Sequence, residues 1–87
     1  MFSYNEHQII SAVPLVDIQV YFQELGAQEK QKLVYEYRGL KITITPVANK
    51  TAANLQIPQH LIKVQGDQTL AEQFLTAFRF NFLSAGG

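Results

Sequence analysis

Apolar and polar residues alternate on both sides of Arg38-Gly39, through the stretch KLVYEYRGLKITIT over residues 32–45. A period of two predicts two strands of a β-hairpin that turns at Arg38-Gly39. Pairing outward from the turn puts the apolar side chains on one face: Tyr37 opposite Leu40, Tyr35 opposite Ile42, and Leu33 opposite Ile44. The other face is polar, and the opposite charges of Glu36 and Lys41 help to fix the register.

The turn of this hairpin is compatible with two conformations. A two-residue type I′ turn needs a positive φ at both central positions, which suits Gly39 but not Arg38. A longer loop with a glycine bulge is the alternative. Both conformations leave Arg38 exposed at the tip of the hairpin.

The spacing changes to a helical period near the other end of the sequence, from about Gln68 to Leu83. The predicted helix has one wide apolar face, formed mainly by Leu70, Phe74, Phe78 and Phe82. Thr69 and Glu72 have the spacing of a capping box, and Asp67 is the alternative cap. Phe80 departs from the pattern, because it projects from the polar side of the helix.

The segment over residues 14–25, PLVDIQVYFQEL, fits either a helix or a strand. The helix has Pro14 at its first position and Gly26 as its stop, whereas a strand would alternate β-branched and aromatic residues with polar ones. We favour the helix because the segment is long for a strand. Val16 and Val20 then lie opposite the main apolar stripe and need a second surface to pack against.

The remaining segments have weaker patterns. Ser3 and Glu6 are spaced like a capping box, which favours a short helix within Met1–Val13. Pro46 is expected to end the second strand of the hairpin. Turn residues and alternation predict the rest: a polar connection over 26–31, a loop over 47–59 with one helical turn near 51–55, and a third strand over 60–65.

These elements predict an α+β fold in a single domain over residues 1–87. Its core is a small antiparallel sheet of about three strands, with the 32–45 hairpin at the centre. The long C-terminal helix and an N-terminal helix are expected to cover the apolar face of this sheet.

Composition excludes several classes of protein. Seven basic residues balance seven acidic ones, and the chain contains no cysteine. Zero net charge argues against a general binder of nucleic acids, and the lack of cysteine removes thiolate metal sites and disulfides. The sequence shows no signal peptide and no apolar run of about 18 residues. We therefore expect a soluble, cytoplasmic protein without membrane contact.

Residues that could carry chemistry are few and scattered. His7 and His60 have no neighbouring ligands at the spacing of a metal site and are expected on the solvent side. No two carboxylates are spaced to share a cleft, and no nucleophile motif, phosphate loop or cofactor fingerprint is present. We expect no catalytic residue, no metal and no cofactor, so the protein is not expected to be an enzyme.

The leading hypothesis is a small non-catalytic module for protein interaction or regulation. Phe80, Val16 and Val20 are the candidate interface residues, since each is an apolar side chain outside the predicted core. So short a chain has few elements left to cover them. Self-association as a homodimer and contact with a further protein partner follow from this hypothesis.

Two alternatives stay open. The first is a nucleic-acid accessory protein that uses a basic patch on the hairpin, together with Tyr35 or Tyr37. The cations of this patch are Lys30, Lys32, Arg38 and Lys41. Acidic residues lie among them, so an ordinary solvated face is the simpler interpretation and nucleic-acid binding is not favoured. The second alternative is a small-ligand binder with the 47–59 loop as its lid.

The pair Gly86-Gly87 resembles the conjugating tail of ubiquitin-like proteins. Tails of that kind follow a strand and an extended arm, whereas this pair follows a predicted helix. Glycine is also the usual residue at a helix end. We therefore interpret the two glycines as the end of the C-terminal helix.

Overall fold

The computed structural model describes the backbone of residues 2–5 and 7–86 and the side chains of residues 7–82. Its elements are β1 Phe2–Asn5, β2 Gln8–Ser11, α1 Leu15–Leu25, β3 Gln28–Gln31, β4 Val34–Tyr37, β5 Leu40–Ala52, β6 Leu55–Gln65 and α2 Gln68–Gly86. The strands form one sheet in the order β1-β2-β6-β5-β4-β3, with every neighbouring pair antiparallel. The α+β class is confirmed, but the described residues form six strands rather than about three.

The β4–β5 hairpin has the register that the alternation predicts. Tyr35 lies opposite Ile42, and Glu36 lies opposite Lys41. The loop is the two-residue turn, because Arg38 and Gly39 have φ values of 52° and 79°. The charges pair differently from the prediction, since the Glu36 carboxylate lies 3.4 Å from the ammonium of Lys30 on β3.

Strand β3 replaces the polar connection predicted over residues 26–31. Its four residues, QEKQ, are all exposed, and it forms one edge of the sheet. A two-residue turn at Lys32-Leu33 joins it to β4, and Leu33 has a φ of 63°. An edge strand without apolar residues has no alternation, so hydrophobic periodicity does not reveal it.

Strands β1 and β2 replace the short helix predicted within Met1–Val13. Ile9 is fully buried opposite Ile62 of β6, whereas Ile10 points to the other face of the sheet. Two adjacent isoleucines fit a helical stripe as well as a strand. Pairing with a strand distant in the sequence decides between them. Glu6, the second residue of the predicted capping box, lies outside the described residues.

Strands β5 and β6 extend beyond their neighbours as a two-stranded arm over residues 46–59, which replaces the loop predicted over 47–59. Ala53 and Asn54, both with positive φ, form its turn, so the predicted helical turn is absent from this segment. From Ala48 to Gln56 every side chain of the arm is exposed. The arm therefore contributes little to the core.

Two prolines lie within the arm because each faces an open edge. The Ile44 amide donates a hydrogen bond of 2.9 Å toward the β3–β4 turn, so Pro46 faces the same side, beyond the end of β4. The Val64 amide likewise donates to His7 at 2.8 Å, and Pro58 faces outward beyond the end of β2. Neither proline nitrogen stands where an N–H donor is needed to pair with a neighbouring strand. Strand β5 therefore continues through Pro46, and the prediction that Pro46 ends it is wrong.

Both helices cover the same face of the sheet. Helix α1 begins after Pro14 and stops at Gly26, which has a φ of 88°, so the helical interpretation is correct. Helix α2 is capped by Asp67, whose Oδ2 accepts a hydrogen bond of 3.0 Å from the Leu70 amide, rather than by Thr69. The helices and strands share one core: Ile9, Ile18, Tyr21, Phe22, Tyr35, Leu40, Ile42, Ile44, Ile62, Val64, Ala71, Phe74, Leu75, Phe78 and Phe82.

The two helices run antiparallel on this face. Strand β2 leads into α1 from the end of the sheet where Ser11 pairs with His60, and β6 leads into α2 from the opposite end, at Gln65. An edge-to-face contact between Tyr21 and Phe78, 5.8 Å between ring centres, joins the helices. The start of α1 and the last turns of α2 therefore lie toward the same end of the sheet.

Candidate functional site

Three apolar side chains project outward from the helix layer. Val16 and Val20 of α1 are 62% and 47% exposed, and Phe80 of α2 is 66% exposed. Each points away from the buried side of its helix, as the spacing predicts. Tyr21, next to Val20, contacts Phe78 and Phe82 on either side of Phe80, so we group the three exposed side chains under the name helix patch. Their exposure is confirmed, and their role in an interface stays a prediction.

The four cations of the predicted basic patch are spread along the sheet. Lys30 is already engaged, since its ammonium donates to Gln28 Oε1 at 2.9 Å and pairs with Glu36. Lys32 and Arg38 occupy the turns at the two ends of β4, about 20 Å apart along an extended chain. Lys41 lies on the polar face of β5. The patch therefore offers separate charges rather than one dense surface.

A groove of about 340 Å³ runs beside β3 and β4 and is lined in part by Lys30, Glu36 and Lys41. Two of these three charges form the 3.4 Å ion pair. Tyr35, one of the aromatic residues expected to accompany the basic patch, is only 3% exposed. The groove thus has little free charge and little aromatic surface to hold a ligand.

A smaller cleft of about 200 Å³ opens where α1 ends, α2 begins and the β4–β5 hairpin turns. Its apolar walls are Leu25, Leu40, Leu70, Phe74 and Ala77, and its polar side chains are Tyr21, Tyr37, Arg38 and Gln73. We call it the tyrosine cleft. Its residues come from segments far apart in the sequence, so no local spacing could have revealed it. Arg38 at the hairpin tip and the adjacent Tyr37 were the sequence signals that pointed to this region.

The polar side chains that line the tyrosine cleft include no carboxylate. Burial raises the pKa of the Tyr21 hydroxyl, and the neighbouring Tyr37 raises it further, so Tyr21 keeps its proton. The Arg38 guanidinium carbon lies 5.3 Å from the centre of the Tyr37 ring, within range of a cation–π contact. No carboxylate of residues 7–82 forms an ion pair with Arg38. The cleft therefore carries an unneutralised positive charge.

The histidines and acidic residues do not build a metal site within the described part of the chain. His60 lies at the base of the arm, opposite Ser11 and Pro46. It is half-buried rather than on the solvent side, and its Nδ1 has no hydrogen-bond partner among the described residues. Neither described helix is long and apolar enough to span a membrane.

The segment predicted as a lid lines neither cavity. Residues 47–59 belong to the arm, and both the groove and the tyrosine cleft are formed by other residues. Neither of these two cavities is therefore a ligand site closed by residues 47–59. The tyrosine cleft is bounded by the two helices and the central hairpin.

Comparison with known proteins adds one finding about the whole chain. A family model described as "Archaeal MoaD-like protein" matches residues 6–87. The matched range includes both helices, five of the six strands and the Gly86-Gly87 pair. No curated protein matches the chain.

Proposed function

The chain belongs to the archaeal MoaD-like family, and on this premise we propose that it is a small non-catalytic carrier protein of the sulfur-carrier type. A carrier presents an attached group to other proteins, so it needs no active site of its own. The proposal narrows the interaction module predicted from the sequence, because it specifies what the interactions transfer. The family match over residues 6–87 is the observation that carries it.

The composition limits where the sulfur can be attached. With no cysteine in the chain, there is no thiol on which a persulfide can form. A carboxylate can hold sulfur instead, as a thiocarboxylate in which one sulfur atom replaces one oxygen atom. We assign this role to a C-terminal carboxylate borne by the Gly86-Gly87 pair in the mature protein, since these glycines place no side chain next to it. Of the two glycines interpreted from the sequence as a helix end, only Gly86 then has that role, as the last residue of α2.

Loading of this carboxylate requires a protein partner. A carboxylate resists attack by a sulfur nucleophile until one of its oxygens is converted into a leaving group. No group among the described residues carries out this activation. The helix patch lies on the approach to the site, because Phe80 precedes Gly86 by about 9 Å of helix. Exposed apolar side chains there favour contact with a protein partner.

The family also suggests a β-grasp fold. A sheet packed around α1 supports this relation, although the described strand pairs are all antiparallel. The cytoplasm is the compartment we propose, since a chain without disulfides needs no oxidising environment. Nucleic acid is a less favoured partner because Tyr35 is buried and Lys30 is engaged in an ion pair.

Self-association is the second candidate role of the helix patch. Val16, Val20 and Phe80 are the large apolar side chains that α1 and α2 leave exposed within residues 7–82. A homodimer formed through them would compete with any other partner for the same surface. The carrier proposal must therefore be compatible with the oligomeric state of the protein.

The test of the carrier proposal is the chemical state of the C-terminus in protein purified gently from its own host. Intact-mass and peptide measurements should show the mass increase expected when sulfur replaces one oxygen in the peptide ending at Gly87. Because the chain has no cysteine, a thiol-alkylating reagent should label this peptide selectively. A variant lacking Gly86-Gly87 is the control and should take no label.

Two results would count against the proposal. One is a terminal peptide that carries only oxygen in every growth condition that supplies sulfur. The other is a native chain that continues past Gly87 without being trimmed. Binding of a partner to the helix patch would not rescue the proposal in either case.

A further inference from the structure

The tyrosine cleft lies apart from the proposed carrier site. Its α2 residues, Leu70, Gln73, Phe74 and Ala77, occupy the first half of that helix, whereas Gly86 is its last residue. The α1 contribution likewise comes from the second half of the helix, and Val16 is in its first turn. Nothing in the carrier proposal uses the cleft.

The lining of the cleft combines an apolar floor with hydrogen-bond donors. Five of its nine residues are aliphatic or aromatic without a polar atom, and none is acidic. The hydroxyls of Tyr21 and Tyr37 and the Arg38 guanidinium are all groups able to donate hydrogen bonds. This combination suits a ligand with an apolar body and a negatively charged group.

Arg38 is placed for such a ligand at a cost in backbone strain. Its φ of 52° is rare for a residue with a side chain, and residues held in that region cluster at functional sites. The turn puts its guanidinium carbon 5.3 Å from the Tyr37 ring centre. A guanidinium over an aromatic face keeps its N–H groups free to donate to a carboxylate.

The size of the cleft restricts the ligand. About 200 Å³ is smaller than the roughly 300–1,000 Å³ typical of sites for drug-sized molecules. Apolar walls disfavour a bare inorganic anion, which would leave its other oxygens against carbon. The larger groove beside β3 is a weaker candidate, because Lys30 there is already paired with Glu36.

We propose that the tyrosine cleft binds a small carboxylic acid with an aryl or short alkyl body. The carboxylate accepts hydrogen bonds from Arg38 and from the Tyr37 and Tyr21 hydroxyls. The body lies against Leu70 and Phe74 on α2. The ligand is thus recognised by charge at the mouth of the cleft and by apolar contact inside.

The test is an NMR titration of the whole chain with phenylacetate and, separately, with phenylacetamide, which has the same body without the charge. We expect saturable shifts at the amides of Tyr37, Arg38, Gln73 and Ala77, with the acid binding at least about tenfold more tightly than the amide. Arg38→Asn should weaken phenylacetate binding at least about tenfold, since asparagine keeps the left-handed turn but loses the charge. Tyr37→Phe should weaken it several-fold.

Arg79→Gln is the matched control, because Arg79 is exposed on α2 but does not line the cleft. It removes the same charge and should leave the affinity unchanged. Absence of saturable shifts, equal affinity for acid and amide, or full affinity in Arg38→Asn would each overturn the assignment. None of these results depends on sulfur at Gly87, so the cleft and the carrier proposal fail or stand separately.

Discussion

Arg38 occupies a turn position where asparagine is the preferred residue. Its φ is 52°, next to Gly39 at 79°, and a left-handed conformation costs a residue with a Cβ about 1–2 kcal/mol. Asn-Gly is the favoured pair for a type I′ turn. We therefore expect Arg38→Asn to raise the free energy of unfolding by about 1 kcal/mol, measured by urea denaturation.

Lys32→Asn is the control for this prediction. It removes one exposed cation from the neighbouring β-turn, where Lys32 does not have a positive φ. Its stability should change little. If Arg38→Asn is no more stable than the original chain, the turn is not strained. If it is more stable but loses the ligand, Arg38 exchanges stability for binding.

Tyr21 makes stability depend on pH in the alkaline range. Burial, and then Tyr37, raise the pKa of its hydroxyl above the usual value of 10.0. Below pH 10 the folded and unfolded chains both keep this proton. Above it the unfolded chain ionises first, so folding loses stability until the folded pKa is also passed. In Tyr21→Phe, the midpoint of urea unfolding should therefore fall less steeply with pH above pH 10.

Lysine titration affects Tyr21→Phe and the original chain equally, so the difference between their pH profiles isolates the effect of Tyr21. Tyr35→Phe should flatten the fall as well, since burial and then Glu29 raise the pKa of Tyr35, against a smaller lowering by its hydrogen bond to Gln19. A Tyr21→Phe variant with the same alkaline fall as the original chain would show that Tyr21 titrates normally in the fold.

At the scale of elements, periodicity was sufficient for the central hairpin and for α2, but not for β2, whose adjacent isoleucines also fit a helical stripe. Alternation around Arg38-Gly39 predicted the hairpin and its register, and the spacing of Phe74, Phe78 and Phe82 predicted α2. Gly26 correctly marked the end of α1. In each case the buried side chains repeat at the period of the element, so the sequence contains the information locally.

Elements that do not have one buried and one exposed face were not predicted. Strand β3 is exposed on both faces, and the arm has two prolines that local rules treat as strand ends. Whether Pro46 breaks a strand depends on which edge its nitrogen faces, and this is known only when β4 is seen to stop short. The tyrosine cleft was missed for the same reason, since it forms only where three distant segments meet.

The arm should be dispensable for folding. Val47 pairs with Gln59, so replacing residues 48–58 by Asn-Gly closes the ribbon at an existing pair with a favoured turn. The side chains removed are exposed except for the half-buried Ile57. We expect cooperative urea unfolding with stability changed by about 1 kcal/mol or less. Loss of cooperativity would show that the arm supports the sheet.

At the scale of the whole molecule, a layer of two helices lies on one face of the sheet and the arm extends from one end. The chain measures 41 × 24 × 21 Å, and its accessible surface is 5,676 Å². A stable dimer buries about 800 Å² on each partner, roughly one seventh of that surface. The three residues of the helix patch can therefore be the centre of an interface but not the whole of it.

Phe80→Ser tests whether the helix patch assembles the protein. Phe80 is 66% exposed, so its loss should leave the urea midpoint nearly unchanged while removing the largest apolar contact from an interface. We expect the variant to dissociate at protein concentrations where the original chain is dimeric, measured by sedimentation equilibrium. Asn81→Ser, at the next exposed position of α2, is the control and should assemble normally.

The outcomes separate the two roles proposed for this surface. Assembly lost in Phe80→Ser with the fold intact supports a homodimer through the helix patch. An original chain that is monomeric at every concentration contradicts the homodimer and leaves the patch to another protein, as the carrier proposal requires. If Phe80→Ser unfolds instead, Phe80 contributes to the core despite its exposure, and the patch loses its main residue. Because Gly86 lies close beyond Phe80 on α2, repeating the alkylation of the C-terminal peptide on monomer and dimer would show whether self-association covers the carrier end.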